Sequence, residues 1–328
     1  MQQTDFLAIG DIVTDVFIRL RDAEAHCELD STNCKLCVRF GDKVPYESAT
    51  EIRAVGNAAN AAVAASRLGL STAYIADVGN DLHGRGCIEE LMKNHVVTDH
   101  IRIHDGLATN YHYVLWYDVE RTILIKHTQF PYALPTTLAA PKMIYLSSMG
   151  ENSLAFHQEI ATFLSNNPDT KLVFQPGTFQ MKFGTENLKH IYEQTYAFFC
   201  NLEEAKRILN TDEKDVKTLM SSLHALGPKL IFITDGINGA YASDSTTCWF
   251  MSVYPHDPYE RTGAGDAFAS TVSAALLLGK TIPEALAWGP VNSMSVVQYV
   301  GAQEGLLTRE KLEHYITDAP ENYQAKEI

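Results

Sequence analysis

Several features that would mark a membrane, nucleic-acid-binding or secreted protein are missing from this sequence. No apolar run approaches the roughly 20 residues that a bilayer-spanning helix requires. The chain carries 26 lysines and arginines against 40 aspartates and glutamates, a formal net charge of −14, whereas nucleic acids and anionic membranes select basic surfaces. Residues 1–5 lack the basic start and apolar core of a secretion signal. We therefore expect a cytoplasmic protein without a nucleic-acid or membrane partner.

Cysteine is scarce, with 6 in 328 residues. Half of them are scattered along the chain: Cys87, Cys200 and Cys248. Without a secretion signal, these three are expected to be reduced thiols. Cys27, Cys34 and Cys37 lie closer together, but a structural zinc usually has four nitrogen or sulfur ligands, often in two C-x-x-C pairs. This segment has one such pair, and adding His26 gives an unusual spacing, so we predict no metal there and leave the role of these cysteines open.

Two common phosphate-binding motifs are absent or incomplete. The first apolar run, residues 6–10, is not followed by Gly-x-Gly-x-x-Gly, which argues against a dinucleotide-dependent dehydrogenase. Residues 79–86 nearly match the phosphate loop of nucleotide hydrolases, but Arg85 and Gly86 stand where lysine and serine or threonine are required. We interpret this segment as a turn into a helix at residues 87–93.

What the chain does contain is a regular alternation of apolar strand-like and helix-like segments. Strands are predicted at residues 6–10, 72–78, 142–147, 171–174, 196–200 and 230–234. Helices are predicted at residues 56–69, 87–93, 153–164, 202–209, 215–226 and 267–278. Such alternation predicts an α/β fold with a parallel sheet between helices. Because no repeat or linker interrupts it, we predict one domain over residues 1–328.

A second, smaller β-layer is predicted beside the main sheet. Residues 111–117 and 122–125 are β-rich and separated by a polar turn, which indicates a hairpin. With the β-prone pieces of residues 16–53, this hairpin would form a lid, inserted at about 16–53 and 101–128, that closes over a substrate. Its aromatic residues either pack or stack on a base: Tyr111, Tyr113, Trp116 and Tyr117.

The strongest candidate for a chemical site is the segment Thr262-Gly263-Ala264-Gly265-Asp266. Small residues let backbone N–H groups approach a ligand, and the first turn of a helix leaves its N–H groups unpaired. Together with the helix dipole, these groups form a phosphate site. Asp266 is placed to accept a proton from a hydroxyl that attacks this phosphate. A well-capped helix start explains the segment equally well by itself.

Further polar residues stand where a ligand is expected. Asn57 and Asn60 lie in the first turn of an alanine-rich helix, although asparagine is a poor helix former. Their amides suit a polyhydroxylated ligand, and capping would explain Asn57 but not Asn60. Asp11 and Asp15 follow the first strand, where open α/β sheets bind ligands. The alternative for each aspartate is an ordinary loop or capping role.

Taken together, these segments resemble the ribokinase-like (PfkB) family of carbohydrate and nucleoside kinases over nearly the whole chain. Residues 56–69 and 260–268 are similar to its two signatures, residues 201–204 to its N-x-x-E motif, and residues 234–236 with Gly239 to its nucleotide-binding turn. The resemblance implies a three-layer α/β/α sandwich with a mainly parallel sheet, plus a β-sheet lid that often forms a homodimer contact. It also implies ATP-dependent phosphorylation of a hydroxymethyl group on a sugar.

The resemblance assigns roles by matching position. Asp266 would be the catalytic base, and the N–H groups of Gly263, Ala264 and Gly265 would form the anion hole. Residues implied to contact ATP are Thr234, Gly236, Gly239 and Thr262, with Asn292 near the adenine. Asn201 and Glu204 would hold Mg²⁺ through water. Residues implied to bind the acceptor are Asp15, Gly56, Asn57 and Asn60.

Two departures from the family pattern leave questions open. Glu260-Arg261 replaces the usual Asp-Thr, so the resemblance does not settle whether a monovalent cation such as K⁺ is needed. Val55 replaces the first glycine of the usual Gly-Gly, which alters the acceptor pocket. A phosphorylated acceptor would need basic residues near the lid, and five are available: Lys35, Arg39, Lys43, Arg53 and Arg121. A nucleoside kinase of the same family is the alternative. A non-catalytic nucleotide-binding regulator is a further one, but it would be expected to have lost the catalytic carboxylate or the Mg²⁺ ligands, whereas Asp266, Asn201 and Glu204 are all present.

Overall fold

The structure, a computed structural model, describes residues 3–27, 34–118, 120–257 and 259–328. Its strands are β1 Phe6–Ile9, β2 Val13–Leu20, β3 Glu24–Cys27, β4 Cys34–Cys37, β5 Tyr46–Val55, β6 Thr72–Gly79, β7 Ile101–His104, β8 Asn110–Tyr117, β9 Glu120–Leu124, β10 Met143–Leu146, β11 Lys171–Phe174, β12 Thr195–Asn201, β13 Leu230–Thr234, β14 Ala240–Ser243, β15 Cys248–Met251 and β16 Lys326–Glu327. Its α-helices are α1 Asn57–Arg67, α2 Leu82–Lys93, α3 Leu154–Asn166, α4 Thr178–Asn187, α5 Lys189–Gln194, α6 Leu202–Leu209, α7 Val216–His224, α8 Ala264–Leu277, α9 Ile282–Val296 and α10 Arg309–Thr317.

A large twisted sheet forms the centre of the fold, with strand order β16-β15-β14-β13-β12-β11-β10-β1-β6-β7. From β13 to β7 every pairing is parallel, and β14 to β16 add an antiparallel edge. The predicted mainly parallel α/β sandwich is therefore confirmed. The antiparallel edge strands were not predicted, because short hairpins at a sheet edge lack the helix between strands that marks a parallel unit.

The sheet buries both faces, and β1 shows how the sequence encodes this. Phe6 and Ala8 point to the side where α1, α8 and α9 pack, whereas Leu7 and Ile9 point to the side of α3 and α7. Because successive side chains of a strand alternate between faces, an apolar run such as 6–9 fits a sheet covered on both sides. None of the helices in the described ranges has the length and apolarity of a membrane span.

The small sheet has strand order β5-β2-β8-β9 and is called the lid sheet below. The predicted hairpin is its β8–β9 pair, which is antiparallel, and the small separate sheet of the prediction is confirmed. Residues 101–104, which the sequence placed in the lid, instead pair with β6 in the large sheet. Next to the lid sheet, the β3–β4 hairpin carries a disulfide between Cys27 and Cys34.

Two helices begin earlier than the sequence indicated. Helix α2 starts at Leu82, because the Asp81 side chain accepts a hydrogen bond from the Gly84 N–H and caps the helix. This cap outweighs the low helix propensity of the glycines in the first turn. Helix α8 starts at Ala264, directly after Gly263, and so includes the Gly-Asp pair that precedes the predicted helix.

Candidate active site

A cavity of about 400 Å³ opens where the carboxyl ends of the parallel strands meet the lid sheet. Twelve residues predicted from the sequence line it: Asp15, Gly56, Asn57, Asn60, Asn201, Glu204, Thr234, Thr262, Gly263, Ala264, Gly265 and Asp266. The lid sheet contributes Phe17, His112 and Arg121 to the opposite wall. Residues from regions far apart in the chain are thus brought together around one space.

A second cavity, of about 780 Å³, adjoins the first. The predicted ATP contacts Thr234, Gly236 and Gly239 line it, and much of its remaining wall is apolar: Ile237, Val253, Pro255, Phe268, Pro290 and Val297. Ala264 and Gly265 line both cavities. The first turn of α8 is therefore part of the wall that the two cavities share, together with Asn201, Thr234, Arg261 and Phe268.

Asn292 is not placed with the other predicted nucleotide contacts. It is fully buried between helices, where its Nδ2 atom donates to Thr271 Oγ1 and its Oδ1 atom accepts from the Leu307 N–H. Pro290 and Ser293 of the same helix line the larger cavity instead. Asn292 therefore does not line the cavity that contains the other predicted nucleotide contacts.

The backbone at the start of α8 requires glycine. Gly263 has a φ of +81°, a left-handed conformation that favours glycine, and a Cβ there would overlap Ala302. At Gly265, by contrast, a Cβ would meet no atom within 4 Å, so the backbone is open to a ligand. Because the first-turn N–H groups have no carbonyl partner within the helix, they are free to bind an anion from the cavities.

Asp266 lies in this first turn, and three side-chain amides donate hydrogen bonds to its carboxylate. Asn57 Nδ2 and Asn60 Nδ2 each donate across 2.8 Å, to Oδ1 and Oδ2 respectively, and Gln175 Nε2 donates to Oδ1 across 3.3 Å. Burial raises the pKa of Asp266 above its ordinary value of 3.8, and the three amide donors oppose that rise. The asparagines predicted to bind an acceptor therefore hold this carboxylate in the structure.

Other side chains orient two of these amides. Gln175 Oε1 accepts a hydrogen bond from the buried Tyr145 hydroxyl, which turns the Gln175 amide nitrogen toward Asp266. Asn60 Oδ1 accepts from Gln303 Nε2 across 2.9 Å. The sequence interpretation missed both glutamines. Gln175 directly follows β11, so the strand-end argument used for Asp11 would have found it, whereas Gln303 carries no local signal.

At the far end of the smaller cavity, two aspartates lie next to two histidines. Asp11 Oδ2 is 2.8 Å from His127 Nδ1, and Asp11 Oδ1 accepts from the Tyr132 hydroxyl. Asp15 Oδ1 lies 3.5 Å from His112 Nδ1. Both histidines line the cavity, and sequence reasoning missed them because a single histidine in a β-rich segment has no distinctive spacing.

The aromatic residues of β8 do not line either cavity. Tyr111 packs against Tyr113 and His83, and Trp116 packs against Tyr259 with Arg19 above its ring. Packing, and not base stacking, is therefore the alternative that the structure supports for these residues.

Asn201 and Glu204 form a capping box at the start of α6. The Asn201 side chain accepts from the Glu204 N–H across 2.8 Å, and Glu204 Oε2 accepts from the Asn201 N–H across 2.9 Å. Burial raises the pKa of Glu204 above 4.5, and the nearby Asp266 adds to the rise. Both residues line the smaller cavity. Oxygen ligands of this type are those that Mg²⁺ prefers, with water completing its shell.

Glu260 and Arg261, which depart from the expected pattern, have different environments. Glu260 is buried, and its Oε1 atom accepts from the N–H and hydroxyl of Thr262 and lies 3.8 Å from Arg121 Nη1. Arg261 is half-exposed, lies 3.6 Å from Glu120, and lines both cavities. A lid residue, Arg121, is thus connected to the loop that leads into α8.

This chain is similar in sequence to a known protein family and to individual proteins. A family profile described as "pfkB family carbohydrate kinase" matches residues 22–309. The ribokinase of Bacillus subtilis is 28% identical over 269 residues, which cover 80% of this chain and 87% of that protein. The ATP-dependent 6-phosphofructokinase of Thermoanaerobacterium thermosaccharolyticum is 25% identical over 260 residues, with coverages of 75% and 80%.

Solved structures of low identity share the fold. Arabidopsis thaliana ribokinase, complexed with ribose and ATP, has a TM-score of 0.79 at 17% identity and covers 95% of this chain and 98% of its own. A putative ribokinase II from E. coli, in complex with ATP and Mg²⁺, has a TM-score of 0.74 at 18% identity, with coverages of 96% and 99%.

Proposed function

The chain belongs to the pfkB family of carbohydrate kinases, and from this premise we propose that it transfers the γ-phosphoryl group of ATP to a hydroxymethyl group of a sugar or related polyhydroxylated molecule. One observation carries the proposal. Ala264 and Gly265 line both cavities, whereas Asp266 lines only the smaller one. A phosphoryl group in transit lies between donor and acceptor, so ATP is assigned to the larger cavity and the acceptor to the smaller.

In this proposal Asp266 accepts the proton of the attacking hydroxyl. A carboxylate has about four lone-pair positions, and three of those on Asp266 already receive amide donors. The remaining position is left for the acceptor hydroxyl, which fixes the direction of attack. The N–H groups of Gly263, Ala264 and Gly265 would stabilise the phosphoryl oxygens. One preorganised donor of this kind contributes about 2.7–4 kcal/mol to lowering a barrier.

The larger cavity suits ATP. Its apolar wall fits a purine, and Thr234, Gly236 and Gly239, which line it, are assigned to the phosphates and ribose. Thr262 lines the smaller cavity next to Gly263 and is assigned to the phosphates from that side. Asn201 and Glu204 would hold Mg²⁺ through water, because both line the smaller cavity at the start of α6. Mg²⁺ supplies charge neutralisation on the phosphate oxygens. Ribokinase structures that bind ATP, in one case with Mg²⁺, support this assignment.

We also propose that two copies of the chain form a homodimer through the lid sheet. Strand β9 is an edge of that sheet, and Ile123 and Leu124 on it are exposed. An exposed apolar edge strand is a surface that a second β-sheet can cover. The cytoplasmic location stays a prediction.

The test is an assay of ADP formation with ATP, Mg²⁺ and a panel of free sugars and nucleosides. We expect turnover with at least one sugar, and a phosphomonoester product at a hydroxymethyl carbon by ³¹P NMR. ATP binding without turnover of any sugar or nucleoside would instead favour a nucleotide-binding regulator. Turnover confined to nucleosides would favour the nucleoside kinase.

A further inference from the structure

We propose that the acceptor is an uncharged polyhydroxylated molecule and that His112, together with Asp15, selects it by binding one of its hydroxyl groups. This inference rests on the proposed function and narrows it. It answers a question that the sequence leaves open, namely whether the acceptor already carries a phosphate or carboxylate group.

Two buried polar atoms at the far end of the smaller cavity point to a hydroxyl. Asp15 Oδ1 and His112 Nε2 have no hydrogen-bond partner among the described residues, and each residue is 9% exposed. Buried polar atoms in native proteins are nearly always satisfied by protein, water or ligand. A hydroxyl can donate to the carboxylate and accept from an imidazole N–H at the same time.

The strand register places these two side chains side by side. Asp15 on β2 is the Cα partner of His112 on the neighbouring parallel strand β8. Residues in register on adjacent strands project to the same face of a sheet, and here that face lines the cavity. One hydroxyl can therefore reach both atoms.

The charges around this end of the cavity disfavour an anion. The histidines there are each next to one carboxylate, His112 to Asp15 and His127 to Asp11. A phosphate or carboxylate on the acceptor would therefore be close to two carboxylates without an unpaired cation, and like charges in contact repel each other.

The arginines of the cavity lie at its other end. Among the described residues that line it, the arginines are Arg121 and Arg261, and no lysine is present. Arg121 lies next to Glu260, and Arg261 directly precedes Thr262 and also lines the larger cavity. Arg121 Nε also has no hydrogen-bond partner among the described residues, but Arg121 is in register with Trp116, four residues along β8 from His112. We therefore assign both arginines to the transferred phosphoryl group.

The remaining basic residues named from the sequence do not reach the cavity. Arg53 pairs with Glu51 at 2.8 Å and covers Gly86. Lys43 and Arg39 line a separate groove at the base of the β3–β4 hairpin. Lys35 is exposed in β4. Lys182, which was not named from the sequence, lies 5.2 Å above the ring of Phe179; Phe179 lines the cavity, whereas Lys182 does not.

The test is calorimetric binding in the presence of a non-hydrolysable ATP analogue, with matched acceptors. Three pairs differ by one anionic group: ribose and ribose 1-phosphate, fructose and fructose 6-phosphate, and glucose and glucose 1-phosphate. We expect at least one neutral member to bind about 100-fold more tightly than its anionic counterpart. Tighter binding of the anionic members, or no binding of any neutral member, would overturn the inference. Neutral binding without turnover would leave it intact and refute the kinase function.

A set of variants tests the role of His112. His112→Ala is expected to raise the KM of the neutral acceptor by about 5–50-fold, with kcat and the KM of ATP little changed. His112→Asn keeps a donor and should restore part of the affinity. The matched control is Tyr113→Phe, on the same strand but facing away from the cavity. If His112→Ala leaves the acceptor KM unchanged while melting at the parental temperature, His112 is not a specificity residue.

Discussion

Asn57 Nδ2 donates a hydrogen bond to Asp266 Oδ1 across 2.8 Å, although 209 residues separate the two in the chain. Asn60 donates in the same way to Oδ2. The first turn of α1 is thereby joined to the first turn of α8, and the carboxylate is oriented before an acceptor binds. Such preorganisation lowers the entropic part of a reaction barrier.

The first prediction concerns Asp266 as the base. Asp266→Asn should lower kcat by about 10²–10⁴-fold, the range typical of a lost general base, while the KM of ATP stays close to that of the parent protein. Steady-state kinetics on the substrate found in the panel measures both. Asp215→Asn is the matched control, because Asp215 caps α7 at an exposed position and asparagine caps equally well. Near-normal turnover of Asp266→Asn would refute the base assignment.

The second prediction concerns the amide donors and pH. Burial raises the pKa of Asp266, and the Gln175 amide opposes that rise. Gln175→Leu removes this donor, so the pKa of Asp266 should rise further and the acid limb of the kcat/KM profile should move to higher pH. Tyr145→Phe frees the Gln175 amide to rotate. This variant should move the acid limb of the profile in the same direction by a smaller amount. Gln158→Leu, at an exposed position of α3, is the control. An unshifted limb in Gln175→Leu would contradict the prediction.

The third prediction concerns Glu204. Because glutamine can also complete a capping box, Glu204→Gln should preserve the start of α6 while removing the charge. We expect the apparent affinity for Mg²⁺ to fall by about 10–100-fold, as for other residues that hold a metal through water. Mg²⁺ titration of the initial rate measures it. An unchanged Mg²⁺ dependence would remove Glu204 from the metal site.

The same variant has a consequence for stability. The pKa of Glu204 is raised in the folded protein, so the folded state binds more protons than the unfolded state as pH rises above 4.5, and parental stability decreases across that window. The stability of Glu204→Gln should not decrease in this way as pH rises, because glutamine does not titrate. Without Mg²⁺ and nucleotide, the variant should therefore melt at a higher temperature than the parent protein at neutral pH, and the difference should disappear in acid. An equal difference at all pH values would show another cause.

The fourth prediction concerns potassium. Both oxygens of Glu260 already accept hydrogen bonds, from Thr262 and from the Gly301 N–H, and Arg121 supplies a neighbouring positive charge. This carboxylate therefore has little need of a bound cation, and kcat should be the same in potassium and sodium salts at equal ionic strength. A saturable activation by potassium would contradict this. Parallel assays of Arg121→Met test the explanation, since that variant should gain a cation response.

Part of the fold and site followed from local sequence signals. Alternating apolar strands and helices predicted the parallel sheet, because burial on both faces demands continuous apolar strands. Gly263 and Asp266 were found because small residues at a helix start leave unpaired N–H groups open to an anion, with a carboxylate directly beside them. A capping cluster such as Asp81 with Gly84 was missed, since the glycines of the segment indicated a turn more strongly than the aspartate indicated a helix.

The sequence by itself therefore determined the layers, the family and the glycine turn before α8, all of which depend on residues close together in the chain. Only the tertiary structure decided which partners those residues have. It shows that Asn60 hydrogen-bonds to Asp266 and Gln303, that His112 lies next to Asp15, and that Asn292 is buried between helices. Such contacts join strands and helices that are far apart in the chain, and their polar groups are fixed by three-dimensional packing, for which local spacing carries no signal.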